Sequence, residues 1–384
     1  MRIRLLIAAT LLAALLPAIA SAQKAVKPFE TKAAQAYMIE ARSGTVLLAK
    51  NESQAIPPAS MAKLMTMEVV LAALKGGEIS LDTEYPVSEH AWRTGGAPSR
   101  TATMFAALKS RIRVEDLIKG VTVQMANDSC IILAEGMVGD EAKFAARMTE
   151  RARALGLAQS TFANATGLPN PGNVTTLREL TQLARHIQQT YPEQYRMYAQ
   201  PEFEWNGILQ RNRNPVLAFG ADGLSTGFTE GSGYGIVASI ERNGTRLILA
   251  LGGIASDRER TEEATRVLDW GLTTFETRRL FAADEAIGGV SVYGGASGKV
   301  DLVSRDPVDI YVPVSNPERL SAKIVYRWPL NAPLDKGVNA GTLQIYSGER
   351  LLRDVPLYTA AAVATGTLRQ RATDALLELM LFWL

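Results

Sequence analysis

Ser60 and Lys63 are the residues of this 384-residue sequence whose types and spacing most directly suggest chemistry. They stand three positions apart where a helical pattern begins after Pro57-Pro58, so both side chains share one helix face. A serine hydroxyl attacks a carbonyl only when a base takes its proton, and a lysine of lowered pKa can serve as that base. The spacing predicts a serine nucleophile with a lysine base. Taken alone, the short motif favours an N-capping serine and a solvated lysine.

Other common catalytic groups are scarce in the chain. It holds two histidines, His90 and His186, and one cysteine, Cys130. A catalytic zinc site normally takes three protein ligands, and no HExxH or paired-histidine spacing occurs. We therefore expect no metal and no other cofactor, and a single cysteine excludes an intrachain disulfide.

Two polar segments further along the chain are candidates to meet the Ser60–Lys63 pair. The first is Met125-Ala126-Asn127, about sixty residues later, inside a helical pattern. The second is Ser225-Thr226-Gly227-Phe228, just before a β-rich run. Both depend on the fold to approach Ser60.

Strand-like and helix-like patterns indicate the elements that must position these residues. A hairpin pattern lies at the start of the region that holds these segments. The region ends with two β-rich runs joined by an Asn243-Gly244 turn. Helical periodicity fills most of the interval. This order predicts an α+β domain with a mainly antiparallel sheet. The predicted elements are a hairpin at 36–50, helices at 61–74, 114–136, 140–155, 176–190 and 261–274, and strands at 235–240 and 246–251.

Both ends of the chain carry their own signals. Arg2, Arg4, an apolar run and Ala20-Ser21-Ala22 predict a secretory signal peptide over residues 1–22. Residues 366–384 show helical spacing of apolar side chains but are too short to span a membrane. From the residues alone, this terminal helix either lies in a membrane interface or docks on the protein.

Electrostatics argues against nucleic-acid binding. The chain has 41 basic and 39 acidic residues, a net charge of +2. Removing Arg2 and Arg4, the only charged residues of the predicted signal, leaves a neutral protein. A neutral chain lacks the basic footprint that phosphate backbones require.

The three segments together resemble the motif set of the low-molecular-mass penicillin-binding proteins, the serine D-alanyl-D-alanine carboxypeptidases. The resemblance is nearly full length and includes Ala91-Trp92-Arg93-Thr94-Gly95 and 161–167. It implies a serine β-lactamase/DD-peptidase-like domain over 30–280 and a small β-sandwich-like domain over 286–360. It also implies a C-terminal amphipathic helix over 366–384 that attaches the protein to the periplasmic face of the inner membrane.

The resemblance also implies a reaction and a role for each motif residue. Ser60 would be acylated by the D-Ala-D-Ala end of a peptidoglycan stem peptide, with Lys63 as its base. Asn127 would hold the substrate amide and orient Lys63. Thr226 and Gly227 belong to the substrate-binding strand, and the backbone N–H groups of Ser60 and Phe228 would form the oxyanion hole. β-Lactams are possible ligands of the same serine.

Two departures from the family pattern predict impaired activity. Met125 stands where the second motif has a serine that relays a proton, and a thioether cannot donate one. Ser225 stands where the third motif has a lysine that helps bind the substrate carboxylate. Ser129, one helical turn after Met125, is a candidate to replace the missing hydroxyl. The alternative function is a catalytically inactive relative that binds peptidoglycan or a cell-wall partner. A β-lactamase is disfavoured, because no deacylating glutamate is well placed and a second domain follows.

Overall fold

The computed structural model describes residues 29–314, 320–327 and 329–381. The chain separates into two compact units, Met1–Glu30 and Thr31–Leu384. Every described helix and strand belongs to the second unit. The predicted signal peptide lies outside the described residues.

A five-stranded antiparallel sheet forms the centre of the first folded region. Its strand order is β2-β1-β9-β8-β7, so β7 and β2 are the two edges. The predicted hairpin is confirmed, with Tyr37 opposite Ala49, and the Asn243-Gly244 turn joins the two predicted strands. The strands are β1 (Gln35–Glu40), β2 (Val46–Lys50), β7 (Ala221–Thr229), β8 (Gly233–Arg242) and β9 (Thr245–Ile254).

Helices and two short hairpins surround this sheet. Helix α6 packs against β1 and β9, and α8 packs against β8 and β9. Together they bury one continuous apolar core between Tyr37 and Ala250. The helices are α1 (Lys63–Lys75), α2 (Glu89–Thr94), α3 (Val114–Gln124), α4 (Asn127–Val138), α5 (Glu141–Ala154), α6 (Leu177–Thr190), α7 (Pro192–Tyr195) and α8 (Asp257–Thr274); the hairpins are β3 (Glu84–Pro86) with β4 (Arg111–Arg113), and β5 (Glu202–Trp205) with β6 (Ile208–Arg211).

The helix predicted over 114–136 is wrong as one element, because the chain breaks between α3 and α4. Met125 adopts a left-handed backbone, φ 55°, and caps the end of α3. Its amide still donates to Val121 O, after which Ala126 turns the chain and α4 begins at Asn127. Left-handed backbone costs a residue with a side chain about 1–2 kcal/mol. The break places Met125 and Asn127 at a corner rather than along a helix.

A separate apolar core lies in the C-terminal all-β region, between Val290 and Val363. One six-stranded sheet has the order β14-β16-β17-β12-β11-β15, and β10 pairs with β13. The strands are β10 (Phe275–Phe281), β11 (Ala286–Tyr293), β12 (Lys299–Val303), β13 (Val308–Pro313), β14 (Leu320–Tyr326), β15 (Leu330–Asn331), β16 (Asn339–Ser347) and β17 (Arg350–Thr359).

The terminal helix, α9 (Leu368–Leu381), follows this region. Leu368 and Leu376 are 83% and 63% exposed, whereas Asp374 accepts a hydrogen bond from the Gly294 amide. Polar and apolar side chains are both exposed over 368–376, so that part shows no clear amphipathic division. Among the described residues, no helix is both long and apolar enough to cross a membrane.

Candidate active site

Ser60 lies on a tight turn against which neighbouring backbone segments pack closely. Residues Ala59–Ala62 form a 3-10 turn that leads into α1, and Ala59 is left-handed at φ 49°. A Cβ on Gly227 would lie 3.0 Å from the Ala59 Cβ, and one on Gly167 would lie 1.8 Å from the Ala59 carbonyl oxygen. Glycines on both sides therefore let strand β7 and the 161–167 loop approach the turn closely.

Lys63 lies against the Ser60 hydroxyl, inside the protein. Its side chain is buried, and its Nζ donates to Ser60 Oγ at 2.9 Å and to the Thr166 carbonyl at 2.7 Å. The pKa of Lys63 is lowered to about 8, mainly by burial; Cys130 acts in the opposite direction, and the nearby Arg213 charge contributes to the lowering. A lysine of this pKa is partly neutral near physiological pH and can accept the serine proton. The solvated lysine that the motif alone allowed is thereby excluded.

The second segment reaches the same place through the α3–α4 corner. Met125 is 6% exposed, and its Sδ accepts a hydrogen bond from Thr226 Oγ1 at 3.4 Å. Asn127 is buried at the start of α4, and its Nδ2 donates to Thr101 Oγ1 at 2.9 Å. Its Oδ1 is buried without a hydrogen-bond partner among the described residues. This oxygen is enclosed, so the side chain must turn before it can accept a substrate N–H.

Asp128 holds the loop that frames this corner. Its carboxylate accepts from the Thr103 hydroxyl at 2.6 Å and from the Met104 and Ala106 amides. Burial raises the pKa of Asp128, while these hydrogen bonds act in the opposite direction. The adjacent Ala102 carbonyl accepts from the Asn127 amide at 2.7 Å. Loop 101–106 is therefore fixed to the first turn of α4.

The third segment is an edge strand facing the nucleophile. Among the described strands, β7 pairs with β8 alone, so its other edge is open beside the Ser60 turn. Ser225 is 5% exposed, and its Oγ donates to the Ser60 carbonyl oxygen at 3.2 Å. Its hydroxyl thus ties the strand to the turn. Phe228 is half exposed, and its ring lies 4.4 Å from that of Tyr234.

Parts of these segments line one cleft of about 390 Å³, and six of its lining residues were not predicted from the sequence. Ser60, Met125, Thr226, Gly227 and Phe228 share this cleft with Arg213, Tyr234 and Arg260. The Arg213 Nε donates to Gln124 at 3.2 Å. Arg260 pairs with Asp257 at 2.6 Å and lies over the Tyr234 ring.

Both arginines line a cleft whose third motif carries no positive charge, and Asp257, the ion-pair partner of Arg260, lines it with them. Arg213 precedes that motif by twelve residues, and Arg260 lies in the first turn of α8. Only the folded chain brings them together. The Asn212-Arg213-Asn214 cluster between strand patterns was the one sequence signal available.

Ser129 does not line this cleft. It is fully buried between α3 and α4, where its Oγ would lie 2.3 Å from a Cβ built on Gly120. Its packing against Gly120 leaves it no place beside Ser60, so the idea that it replaces the missing hydroxyl is wrong. Among the residues that the structure describes, no His, Cys, Asp or Glu group could hold a metal ion.

Comparisons with known proteins agree with this geometry. The peptidase S11 model, described as D-alanyl-D-alanine carboxypeptidase, matches residues 21–254. The model of the penicillin-binding protein 5 C-terminal domain matches residues 275–365. D-alanyl-D-alanine carboxypeptidase DacC of Escherichia coli K12 is 33% identical over 363 residues, covering 93% of this chain and 91% of that protein.

Two solved structures extend the comparison. Penicillin binding protein 5 from Haemophilus influenzae superimposes with a TM-score of 0.76 at 30% identity, over 88% of this chain and 99% of that one. Penicillin-binding protein D2 from Listeria monocytogenes in its cefotaxime-bound form matches 64% of this chain and 99% of that one, at 27% identity and a TM-score of 0.58.

Proposed function

The chain belongs to the peptidase S11 family of D-alanyl-D-alanine carboxypeptidases, and from that premise we propose that it removes the terminal D-Ala of peptidoglycan stem peptides through an acyl-enzyme on Ser60. One observation carries the proposal. The buried Lys63 Nζ lies 2.9 Å from the Ser60 hydroxyl, and its pKa is lowered to about 8.

In the first half-reaction, neutral Lys63 takes the Ser60 proton while Oγ attacks the penultimate D-Ala carbonyl. The oxyanion develops between the backbone N–H groups of Ser60 and Phe228. The C–N bond then breaks. Lys63 returns the proton to the amine nitrogen of the terminal D-Ala, which departs. Water hydrolyses the ester and frees Ser60.

We place the substrate backbone along the open edge of β7, since an edge strand offers unpaired amides and carbonyls to an extended peptide. The Asn127 Oδ1 then accepts a substrate N–H. Arg213 and Arg260 supply the positive charge toward the substrate's terminal carboxylate, with the Thr226 hydroxyl beside them. Ser225 anchors the Ser60 turn instead of contacting that carboxylate.

We propose that turnover is slow. Losing a positioned proton relay typically costs about 10²–10⁴-fold in rate, and Met125 offers no replacement. A missing charge-assisted bond costs about 10–100-fold, which Arg213 and Arg260 offset in part. Residues of one catalytic unit act together, so these losses do not simply multiply.

The protein is proposed to work in the periplasm on the inner-membrane surface. The signal-like residues 1–22 support export. The exposed Leu368 and Leu376 of α9 support attachment through apolar side chains at the membrane interface. Gln370 and Asp374 meanwhile hydrogen-bond to the β region at Ala296 and Gly294.

A non-catalytic peptidoglycan-binding role is the second candidate. Its specific support is that Met125 occupies the position of the proton relay. The Thr226 hydroxyl donates its hydrogen bond to the Met125 thioether there. The cleft would then hold a stem peptide without cleaving it.

Intact-mass analysis after incubation with a penicillin separates the two candidates. The catalytic proposal expects one covalent adduct on the native protein and none on Ser60→Ala. The Met125→Ser/Ser225→Lys double variant should acylate faster. If the native protein stays unmodified while the double variant is acylated, the scaffold is sound, and the non-catalytic candidate replaces the enzyme.

A further inference from the structure

A second cavity, of about 440 Å³, lies at the opposite edge of the central sheet from Ser60. Its walls come from the β1–β2 hairpin, from α6 and from β17 of the C-terminal β region, which packs against β2. Arg178, Arg185 and Arg353 line it together with Tyr37 and Glu52. This volume is typical of sites for small molecules, about 300–1,000 Å³.

Three arginines and two carboxylates line this junction cavity. Glu52 is already paired with Arg178 at 2.6 Å, and Asp354 is exposed. Neighbouring Glu40 accepts from the Arg42 and Ser43 amides. Within the described parts of the chain, no carboxylate lies within 4 Å of Arg185 or Arg353.

Arg185 and Arg353 each have a guanidinium N–H group that meets no hydrogen-bond acceptor among the described residues. Arg185 lies two turns after Arg178 on α6, and its Nε and Nη2 donate to the Ala41 and Arg42 carbonyls at 2.6 and 2.8 Å. No acceptor of the described residues bonds its Nη1. Arg353 donates from Nη1 to the Asp309 carbonyl, while its Nε is buried and unpartnered among the described residues.

Two half-buried guanidinium groups of like charge repel each other at this junction. Burial lowers the pKa of both groups. For Arg353, Asp309 and Glu40 act in the opposite direction, while the Arg185 charge adds to the lowering; for Arg185, Glu40 opposes it. Burial also raises the pKa of Tyr37, so its hydroxyl keeps its proton. Because that oxygen accepts from Arg178 Nη1 at 3.2 Å, its own proton is free to donate. An anion in the cavity would relieve the repulsion and fill these donors.

We propose that the junction cavity binds an oxyanion, a carboxylate or phosphate carried by a small ligand, between Arg185 and Arg353. Planar guanidinium forks suit both anions. The bound group would bridge the peptidase region and the β region, since α6 and β17 each supply one arginine. This site is remote from Ser60, and the proposal stands whether or not the chain is an active carboxypeptidase.

Equilibrium dialysis of the purified protein against labelled inorganic phosphate, with citrate as competitor, tests the proposal at constant ionic strength set with chloride. We expect one saturable site. Displacement of the bound phosphate by a low concentration of citrate assigns a carboxylate ligand. Tight phosphate binding that citrate does not displace assigns a phosphate ligand. Absence of saturable binding of either anion at 10 mM, about ten times a dissociation constant of 1 mM, would overturn the proposal.

Variants locate the bound anion. Arg185→Gln and Arg353→Gln should each weaken binding about 10–100-fold, as expected for one charge-assisted contact. Arg278→Gln, an exposed position on β10, is the matched control and should bind as the native protein does. Equal weakening in all three, or none in either cavity variant, would place the anion elsewhere and contradict the proposal.

Chemical protection repeats the test on the native protein, without any substitution. Phenylglyoxal modifies arginine side chains, and peptide mapping reports each site. Bound anion should protect Arg185 and Arg353 with the midpoint seen in dialysis, and should leave Arg278 unprotected. Modification of Arg185 and Arg353 that is unchanged at saturating anion would refute the site.

Discussion

The pH dependence of Ser60 acylation follows directly from the burial of Lys63. Only the neutral amine accepts the Ser60 proton, and the folded-state pKa of Lys63 is about 8. The neutral fraction then rises from about 9% at pH 7 to about 91% at pH 9, so the acylation rate should increase about tenfold. Stopped-flow measurement of penicillin acylation between pH 6 and 10 checks this.

Arg213 offers a way to shift that profile. Its charge lowers the pKa of Lys63, so Arg213→Gln should raise this pKa and move the rate profile to higher pH. Arg211→Gln removes an exposed charge two residues away and is the matched control. The ¹³Cε chemical shift of Lys63 reports the same titration without turnover. A flat profile, or a rate that falls as pH rises from 7 to 9, would refute Lys63 as the base.

The same shift has a consequence for stability. Below pH 8, Lys63 is protonated in both folded and unfolded chains, and the full burial penalty applies. Between pH 8 and the unfolded value of 10.5, the unfolded chain holds more protons. This group therefore contributes a free energy of unfolding that increases with pH across that window.

Three substitutions test the packing and chemistry of the site further. Gly227→Ala places a Cβ 3.0 Å from the Ala59 Cβ, so it should lower the free energy of unfolding, measured with denaturant, by about 1–3 kcal/mol and slow acylation. Gly231→Ala has open space around the new Cβ and should change neither quantity. Asp128→Ala strands buried donors of loop 103–106 and should cost about 3 kcal/mol or more, against little change for exposed Asp269→Ala. Met125→Ser should raise D-Ala release at least about tenfold, and an unchanged rate would mean that the thioether is not limiting.

The sequence predicted the sheet better than the corner beside the nucleophile. Alternating apolar runs and an Asn-Gly turn suffice to define β8 and β9, because local pattern and tertiary burial agree there. The α3–α4 break was missed because a methionine at φ 55° is unfavourable locally and persists only through its tertiary contacts. Helical periodicity continues across it.

The site residues show the same difference between local pattern and tertiary contacts. Ser60 and Lys63 are neighbours in sequence, so their spacing predicted a shared helix face, and the family resemblance predicted their contact. Arg213 and Arg260 enter the cleft only through loops and the start of α8, and no local pattern marks them. The buried environment that makes Lys63 a base likewise comes from residues a hundred positions away, such as Thr166.

The most direct test of the central claim is D-Ala release from diacetyl-Lys-D-Ala-D-Ala, measured over many hours with native protein and Ser60→Ala in parallel. The account predicts slow release of one D-Ala per tripeptide by the native protein, none by Ser60→Ala, and faster release by Met125→Ser/Ser225→Lys. Release that persists in Ser60→Ala, or no release by either the native protein or the double variant, would contradict it.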